Sequence, residues 1–391
     1  MQCFRYMFYV LYFMTIEYSL ASNMENEKPV IEIATNDGKQ KLRTVVYLQP
    51  RIEYGDLIQG ASATVVSNDV ELYFRRASIG FYGSALSSKL KFGVTLSGDQ
   101  TPEDEIYPGY SENALVSYDT YVSYKLIDSL NIRFGKEKLP YSRSYLVSSS
   151  RQIFSERPYY AMTWGDVLHS YTSTHLSLHD NRFPIRYSLS VAKPWRSGEK
   201  IYENVTLTGA SPQYSARVTW SPVGWEQEKL SDTHMGQGRH LSFGLYAAYV
   251  DALEYENAGV EISEERLIYG LDLSFHLNSF QFTAEVNGWQ IDAPDSTRHR
   301  ETLGWVAQTA YFFPEVKLEP TLRIEQFDSN KDANHSDVEK YTMGLNKYLN
   351  ENNLKLNLDI EYTDFDNHVV FLKPQDKNNS LAIRLTGQLI L

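Results

Sequence analysis

The chain has 391 residues, of which 42% are hydrophobic and 22% are charged, and it contains one cysteine. A disulfide framework or a cysteine-based zinc site needs several cysteines, so both are excluded. The charged fraction and a mean hydropathy of −0.41 exclude a bundle of transmembrane helices, and a formal charge of −12 disfavours a general nucleic-acid-binding protein.

Residues 1–21 have the features of a secretory signal peptide. Arg5 supplies a positive charge, residues 7–16 are an apolar stretch of ten, and Ser19 and Ala21 place small residues at the two positions that determine cleavage. Ten apolar residues are too few to cross a bilayer as a helix. We therefore expect this peptide to be removed during export from a bacterial cytoplasm.

Apolar and polar residues alternate along most of the remaining chain. In 354–362 every second residue is apolar, and every residue between is charged or an amide. The same period of two recurs in 185–191, 280–286 and 316–325. A strand places all of these polar residues on one face, whereas a helix would distribute them around its circumference. The pattern predicts an all-β protein.

Sixteen segments show this pattern, and most of them are longer than the roughly 5–6 residues usual for soluble proteins. The segments are 43–54, 70–83, 88–97, 113–126, 129–135, 172–179, 184–192, 214–222, 239–251, 265–276, 279–291, 301–313, 315–327, 337–349, 353–365 and 380–391. A tilted strand needs about 9–11 residues to cross a bilayer. The segments predict a transmembrane antiparallel β-barrel of about sixteen strands over 43–391, preceded by a periplasmic segment at 22–42. Within 30–46, two short stretches could add a further hairpin.

The connections between the predicted strands alternate between long and short. Their lengths are 15, 4, 15, 2, 36, 4, 21, 16, 13, 2, 9, 1, 9, 3 and 14 residues, and 223–238 is the one clear exception. Transmembrane barrels have short periplasmic turns and long external loops, and an even number of strands places both termini in the periplasm. In a soluble β-sandwich, a regular alternation of long and short loops is not expected.

Four segments, in order along the chain, resemble motifs of the phosphate-selective porin O and P family. They are 72–83, with Arg75-Arg76-Ala77 before two spaced glycines; 132–141 together with 155–158, where Gly-Lys and Pro-Tyr lead to a Glu-Arg pair; 216–222; and 341–350, which contains Gly-Leu-Asn-Lys-Tyr-Leu-Asn. The resemblance covers about residues 43–391. It implies a trimeric, sixteen-stranded outer-membrane porin whose pore is narrowed by an inward-folded third loop.

Positive charge is concentrated near the longest predicted loop. Residues 22–220 have a net charge of +1, whereas residues 221–391 have a net charge of −13. The segment 131–157 is the most basic, with six Lys or Arg against two Glu, and we predict that its cations line the constriction and contact anions. These candidates are Arg133, Lys136, Lys138, Arg143, Arg151 and Arg157. Cations in a narrow, partly desolvated pore favour anions, because screening is weaker where water is excluded.

Further cations fall on the polar phase of predicted strands and are candidates for the wall of the lumen. They are Arg51, Lys89, Lys91, Lys125, Arg186 and Arg217. Eight acidic residues fall on the same phase: Glu53, Asp119, Asp272, Glu285, Glu319, Glu325, Asp359 and Glu361. As an alternative interpretation, barrel lumens commonly contain paired charges of both signs, which keep the lumen hydrated without making it selective. Anion preference and a mixed, unselective lumen therefore both remain open.

Other functional classes have weaker sequence support. The acidic segment 328–339 has part of a calcium-loop spacing, but Ala333 stands where the sharp turn needs glycine, which favours a solvated loop. His175 and His179 lie on one face of a predicted strand, with no carboxylate base evident near them in the sequence. An outer-membrane lipid hydrolase or a plugged structural barrel is the alternative to a porin. We expect no metal, cofactor, catalytic residue or nucleic-acid partner. The expected partners are outer-membrane lipid and lipopolysaccharide, small hydrophilic or anionic solutes, and two further copies of the chain.

Overall fold

A computed structural model of the chain describes most of the predicted barrel. The described residues are 31–59, 64–98, 116–159, 161, 173–193, 200–202, 205–226, 230–257, 259–293, 299–366 and 378–391. The predicted signal peptide lies outside them.

Strands dominate the described residues. They are β1 (Ile31–Ala34), β2 (Lys41–Gln59), β3 (Thr64–Ser84), β4 (Leu90–Ser97), β5 (Val116–Lys125), β6 (Leu130–Glu137), β7 (Ser173–Asp180), β8 (Ile185–Ala192), β9 (Lys200–Tyr202), β10 (Val205–Ala210), β11 (Gln213–Trp220), β12 (Arg239–Asn257), β13 (Val260–Leu277), β14 (Phe280–Asp292), β15 (His299–Tyr311), β16 (Leu318–Asp328), β17 (Asp337–Asn350), β18 (Leu354–Phe365) and β19 (Asn379–Ile390). One α-helical turn, α1 (Arg143–Leu146), and one 3₁₀ turn, Ser149–Arg151, follow β6. In the described part of the chain, no helix is both long and apolar enough to cross a membrane.

Sixteen of the strands close into an antiparallel barrel. They are β2 to β8 and β11 to β19; each pairs with its neighbour in the chain, and β8 pairs with β11. The barrel is closed by β19 and β2, which pair from Ala382 opposite Gly55 to Ile390 opposite Tyr47. Each of the sixteen predicted segments overlaps one of these strands, so the predicted barrel is confirmed.

The three remaining strands extend the barrel at its ends. β1 pairs with the start of β2, which confirms the additional hairpin. β10 pairs with β9 and with the far end of β12. We call the end of the barrel where β2 begins and β19 finishes the turn end, and the opposite end the loop end.

Two connections that the sequence predicted as long loops are mostly strand. β2 and β3 remain paired as far as Gln59 opposite Thr64, and β12 and β13 as far as Asn257 opposite Val260. Pairing can continue beyond the membrane because each further pair satisfies main-chain hydrogen-bonding groups. In the extension of β12, an irregularity in the pairing between Val250 and Leu253 inverts the phase: Leu253 and Tyr255 are buried, whereas Glu254 and Glu256 are exposed. The outward apolar phase of a membrane-crossing strand therefore ends before this strand does.

The barrel has a polar interior and an apolar exterior. From Leu354 to Thr363 in β18, burial alternates: the exposed residues are Leu354, Leu356, Leu358, Ile360 and Tyr362, and the buried ones are Lys355, Asn357, Asp359, Glu361 and Thr363. At the loop end of the strand the polarity reverses, since Asp364 is exposed and Phe365 is buried. The eight acidic residues predicted to face the lumen are all buried, as are Arg51, Arg186 and Arg217. A soluble sheet would bury the leucines instead. This inverted burial provides an exterior suited to hydrocarbon and an interior suited to water.

Candidate functional site: the lumen and its constriction

The connection after β6 folds into the barrel. Its described part, 138–159 and 161, is mostly buried, and Leu139, Tyr141 and Tyr145 have no exposed surface within rounding. Local sequence fixes its compact shape: the Ser142 side chain accepts a hydrogen bond from the Tyr145 N–H at the start of α1, at 3.2 Å. The Tyr141 and Tyr145 rings stack at 4.8 Å. The inward-folded third loop that the family resemblance implied is present.

Side chains of the opposite wall hold this third loop by its backbone. Asn346 on β17 donates to the Ile153 carbonyl oxygen at 2.8 Å, and Lys355 on β18 donates to the Gln152 carbonyl oxygen at 2.8 Å. Gln388 on β19 donates to the Ser150 carbonyl oxygen at 3.0 Å. The loop therefore crosses the lumen from β6 to the far wall and is fixed there.

Four arginines gather where the third loop meets β2, β3 and β19. We call Arg51, Arg75, Arg76 and Arg384 the arginine group. The loop carboxylate Glu156 lies among three of them, with Oε1 at 2.5 Å from Arg51 Nη1 and 2.7 Å from Arg75 Nε. Its Oε2 lies 3.8 Å from Arg76 Nη2. Glu156 is thus an internal counterion for the group.

The fourth arginine of the group is paired with the barrel wall. Arg384 Nε lies 2.7 Å from Glu53 Oε1, and its Nη1 lies 3.2 Å from Glu361 Oε1. Four guanidinium groups thus face the three carboxylates of Glu53, Glu156 and Glu361, which leaves an excess of one positive charge in the immediate cluster. Lys340 adds a further cation at 2.9 Å from Glu361.

The arginine group shifts the pKa values of two charged side chains of the third loop, Glu156 and Arg157. Burial alone would raise the pKa of Glu156, but the guanidinium groups of Arg75, Arg51 and Arg76 outweigh it and hold that pKa well below its usual range. Burial, together with the nearby Arg76, lowers the pKa of Arg157 to about 10. Both side chains therefore remain charged at neutral pH, one of each sign.

A second polar cluster lies on β6, β7 and β8. Arg133 Nη1 lies 2.9 Å from Glu137 Oε2, and His175 Nε2 lies 3.4 Å from Glu137 Oε1. His179 shares a hydrogen bond of 3.0 Å with the Ser188 hydroxyl. The histidines therefore do have a carboxylate beside them, contrary to the sequence interpretation, because strand pairing brings β6 against β7.

This cluster is a closed hydrogen-bond network. Ser177 Oγ lies between His179 Nε2, at 2.8 Å, and Glu137 Oε1, at 3.2 Å, so that it separates the imidazole from the carboxylate. Ser188 has no exposed surface within rounding. Among the described residues no group of three or more His, Cys, Asp or Glu side chains is arranged to hold a metal ion.

The predicted constriction cations occupy different surroundings. Arg143 pairs with Asp232 at 2.6 Å, and Lys138 donates to the Tyr145 carbonyl oxygen at 2.7 Å. Arg157 donates to the Val147 carbonyl oxygen at 2.8 Å, and Arg151 is half-buried in the 3₁₀ turn. Lys136 lies on the opposite phase of β6 from Arg133 and Glu137. The six residues thus do not form a single ring.

The predicted wall cations lie at separate places around the barrel wall. Arg51 joins the arginine group, and Arg217 forms a bidentate pair with Asp272 at 2.6 and 3.0 Å. Lys89, Lys91, Lys125 and Arg186 lie near the turn end, where Lys125 pairs with Asp128 at 3.2 Å. The six residues thus do not form one group.

Sequence reasoning did not propose several central residues as sites. Arg75, Arg76 and Glu156 stood in the motifs of the family resemblance, but no pattern showed that β3 and the loop would meet. Arg323 and Arg384 fall on the polar phase of their alternating segments, which was the available signal. Arg323 Nη1 donates to the Glu156 carbonyl oxygen at 2.8 Å, so it also holds the loop.

A closed barrel with an apolar exterior, a charged lumen and an inward loop defines an outer-membrane porin. The chain belongs to the phosphate-selective porin O and P family, whose model matches residues 45–386. An uncharacterized protein of Aquifex aeolicus (strain VF5) is 28% identical over 367 residues, which cover 87% of this chain and 86% of that protein.

Solved structures show the same fold at low sequence identity. The anion-selective porin from Comamonas acidovorans has a TM-score of 0.58 and 13% identity, over 90% of this chain and 100% of that chain. The trimer form of OmpT, an outer membrane protein of Vibrio cholerae, has a TM-score of 0.56 and 8% identity, over 90% and 100% of the two chains. The protein is thus a porin of the outer membrane, through which small hydrophilic solutes diffuse passively.

Proposed function

We propose that this porin favours anions, and that they pass along the wall formed by β2, β3, β18 and β19. The observation that carries the proposal is the arginine group, in which four guanidinium groups face three carboxylates inside the barrel, and Lys340 adds a further cation beside Glu361. Guanidinium groups present planar pairs of donors that fit the oxygens of phosphate. Small oxyanions such as phosphate are therefore the proposed solute class, in keeping with the name of the family.

A small polar recess lies beside the third loop. Its cavity volume is about 10 Å³, and Lys355 is the only charged residue among those that line it: Gln49, Ser149, Phe154, Ser155, Lys355, Asn357, Thr386 and Gln388. Arg51 and Arg76 both donate to the Ser155 carbonyl oxygen, at 3.3 and 3.4 Å. The recess therefore adjoins the arginine group, and amides and hydroxyls make up most of its polar lining.

The ion preference is tested by electrical recording. Purified protein in a planar bilayer should show stepwise conductance, and in a KCl gradient the reversal potential should lie toward the chloride equilibrium potential. Added phosphate should reduce the chloride current, because it competes for the same guanidinium groups. A reversal potential toward the potassium value would overturn the anion preference, and well-folded protein without conductance would overturn the channel.

We propose that the protein assembles as a trimer through the wall from β4 to β8 and β11. Within it, β4, β6, β8 and β11 have 8 residues each, about 26 Å along the strand at roughly 3.3 Å per residue. At a tilt of about 40° an eight-residue strand rises only about 20 Å, less than the apolar band of about 25 Å. A neighbouring barrel would cover this low wall, and the OmpT structure of Vibrio cholerae compared above is a trimer form.

The trimer predicts conductance that rises in groups of three equal steps. It also predicts a detergent-solubilised mass three times that of the chain, measured by light scattering with the detergent contribution subtracted. A monomeric mass together with isolated single steps would contradict it.

We propose that residues 1–21 are removed before assembly and that 22–42 lie in the periplasm. The start of β2 at the turn end, beside the hairpin with β1, supports this location. Intact mass measurement of protein from outer membranes should correspond to a chain starting at Ser22; a chain retaining Met1 would contradict it.

We propose no enzymatic role for the Ser188, His179 and Glu137 network. Its serine is buried and its carboxylate contacts Ser177 more closely than His179, at 3.2 Å against 3.8 Å. Labelling of Ser188 by a fluorophosphonate in folded protein would contradict this and favour the hydrolase alternative.

A further inference from the structure

The connection from β11 to β12 is long although it lies at the turn end. It occupies 221–238, and its segment 230–238, which we call the inward turn, reaches under the third loop. Ser231, Asp232 and Thr233 have relative exposures of 5%, 6% and 5%. If a connection of this length lay on the surface, these polar side chains would be exposed to water. In this protein the three side chains are buried inside the lumen.

An ion pair joins the inward turn to the third loop. Arg143 Nη1 lies 2.6 Å from Asp232 Oδ1, and Arg143 Nη2 donates to the Ser231 carbonyl oxygen at 3.0 Å. The Asp232 N–H donates to the Arg151 carbonyl oxygen at 2.9 Å. Gln308 on β15 donates to the second Asp232 oxygen at 3.1 Å. Both carboxylate oxygens and the backbone of Asp232 are therefore engaged.

Contacts with the barrel wall hold the inward turn on two sides. His234 stacks on His276 of β13, with ring centroids 4.1 Å apart and 12° between planes. Asn352, in the turn between β17 and β18, donates to the Thr233 hydroxyl at 2.8 Å. The inward turn consequently crosses the turn-end mouth from β13 to the β17–β18 turn.

We infer that the inward turn is a second constriction element, and that the Arg143–Asp232 pair determines both its position and the ion preference at that height. This inference rests on the proposed conduction through the lumen. The ion pair neutralises a cation of the third loop and places a carboxylate in the same passage. Release of either partner would widen the mouth and leave the other charge to face passing ions.

The two partners are distinguished by opposite changes in ion preference. In D232N, an isosteric change, Arg143 is left without its carboxylate, and we expect higher single-channel conductance with a reversal potential shifted toward chloride. In R143Q, Asp232 is left unpaired, and we expect higher conductance with a shift toward potassium. A merely structural role would move both variants in one direction. Unchanged conductance and preference in both variants, or shifts in the same direction, would overturn the inference.

The exchanged pair R143D/D232R provides the matched control. It can re-form the ion pair with its direction reversed, so we expect conductance to return to the wild-type value. Conductance that remains as high as in the single variants would overturn the pairing as the determinant.

A measurement without current separates this inference from the proposed function. Since the proposed cleavage removes Cys3 with the signal peptide, S231C should be the one cysteine of the processed chain, and it should react slowly with a cationic methanethiosulfonate reagent because the inward turn buries position 231. The reaction should be faster when D232N is added. Equal rates would overturn the placement of the turn. If wild-type protein does not conduct, the proposed function fails, while the labelling rates still decide whether the ion pair holds the turn.

Discussion

Replacement of Glu156 by glutamine is expected to destabilise the folded barrel and to increase its preference for anions. The change keeps the shape of the side chain but removes the carboxylate that Arg51, Arg75 and Arg76 share. Breaking a buried ion pair by removing one partner costs roughly 3–5 kcal/mol, because the remaining charge is left uncompensated. Urea unfolding in detergent or lipid, followed by tryptophan fluorescence, measures the loss.

The same substitution at an exposed site is the control for this prediction. Glu315 lies in the exposed turn between β15 and β16, and E315Q should leave both the free energy of unfolding and the reversal potential unchanged. In E156Q the reversal potential should move toward chloride, since the arginine group gains uncompensated positive charge. An E156Q protein as stable and as selective as the wild type would show that Glu156 is not the counterion of the group.

The stabilisation by Glu156 should also depend on pH in one direction. After the opposing effect of burial, Arg75, Arg51 and Arg76 hold its pKa well below the ordinary carboxyl value of 4.5. A group whose pKa is lowered by folding stabilises the folded state above its unfolded pKa, and that contribution is lost as the pH falls toward the folded pKa. The stability difference between wild type and E156Q should thus be constant near neutrality and shrink in acid.

Replacement of Leu358 by arginine is expected to destabilise the barrel because it places a charged side chain against lipid, and it should not disturb the contacts inside the lumen. Leu358 is an exposed residue near the middle of β18, and it lies opposite Leu345 of β17 and Leu385 of β19. An arginine on the lipid face at the membrane midplane costs about 2–4 kcal/mol. Unfolding titrations of protein folded into phospholipid bilayers measure this loss.

Position on the strand provides the control for Leu358. Leu354 has the same outward phase but lies at the turn end of β18, where the cost of an arginine falls to about 0–1 kcal/mol. The stability of L354R should accordingly be close to that of the wild type. Equal losses in L358R and L354R would contradict an exterior that meets hydrocarbon only around the middle of the barrel.

The barrel was largely predictable because its strands have a different environment on each face. The period of two survives in single sequences such as β18, where Lys355, Asn357 and Asp359 mark the lumen phase. The extensions of β2, β3, β12 and β13 were not predicted. In the β12 extension the alternation has the opposite phase, because Leu253 and Tyr255 are buried whereas Glu254 and Glu256 are exposed. A search for an outward apolar phase therefore ends before that strand does.

The site was only partly predictable because its chemistry depends on contacts between distant segments. The phase of Arg51 correctly placed it in the lumen, but its partner Glu156 lies 105 residues away in the sequence. The basic segment 131–157 predicted cations that line the constriction, and the sequence could not show that Arg133 and Arg143 would each pair with a carboxylate. Composition records which charges are present; pairing is decided by how the loops fold across the lumen.

The strict alternation in β18 also has a consequence for biogenesis. No two neighbouring residues in this strand are both apolar, so every outward-facing leucine is flanked by polar side chains. Such a stretch does not form a continuous apolar helix of about twenty residues. A helix of that kind would leave a secretion channel laterally and enter the lipid bilayer. A chain patterned in this way can be threaded through the inner membrane without stopping, and it acquires its lipid-compatible surface only when the strands pair.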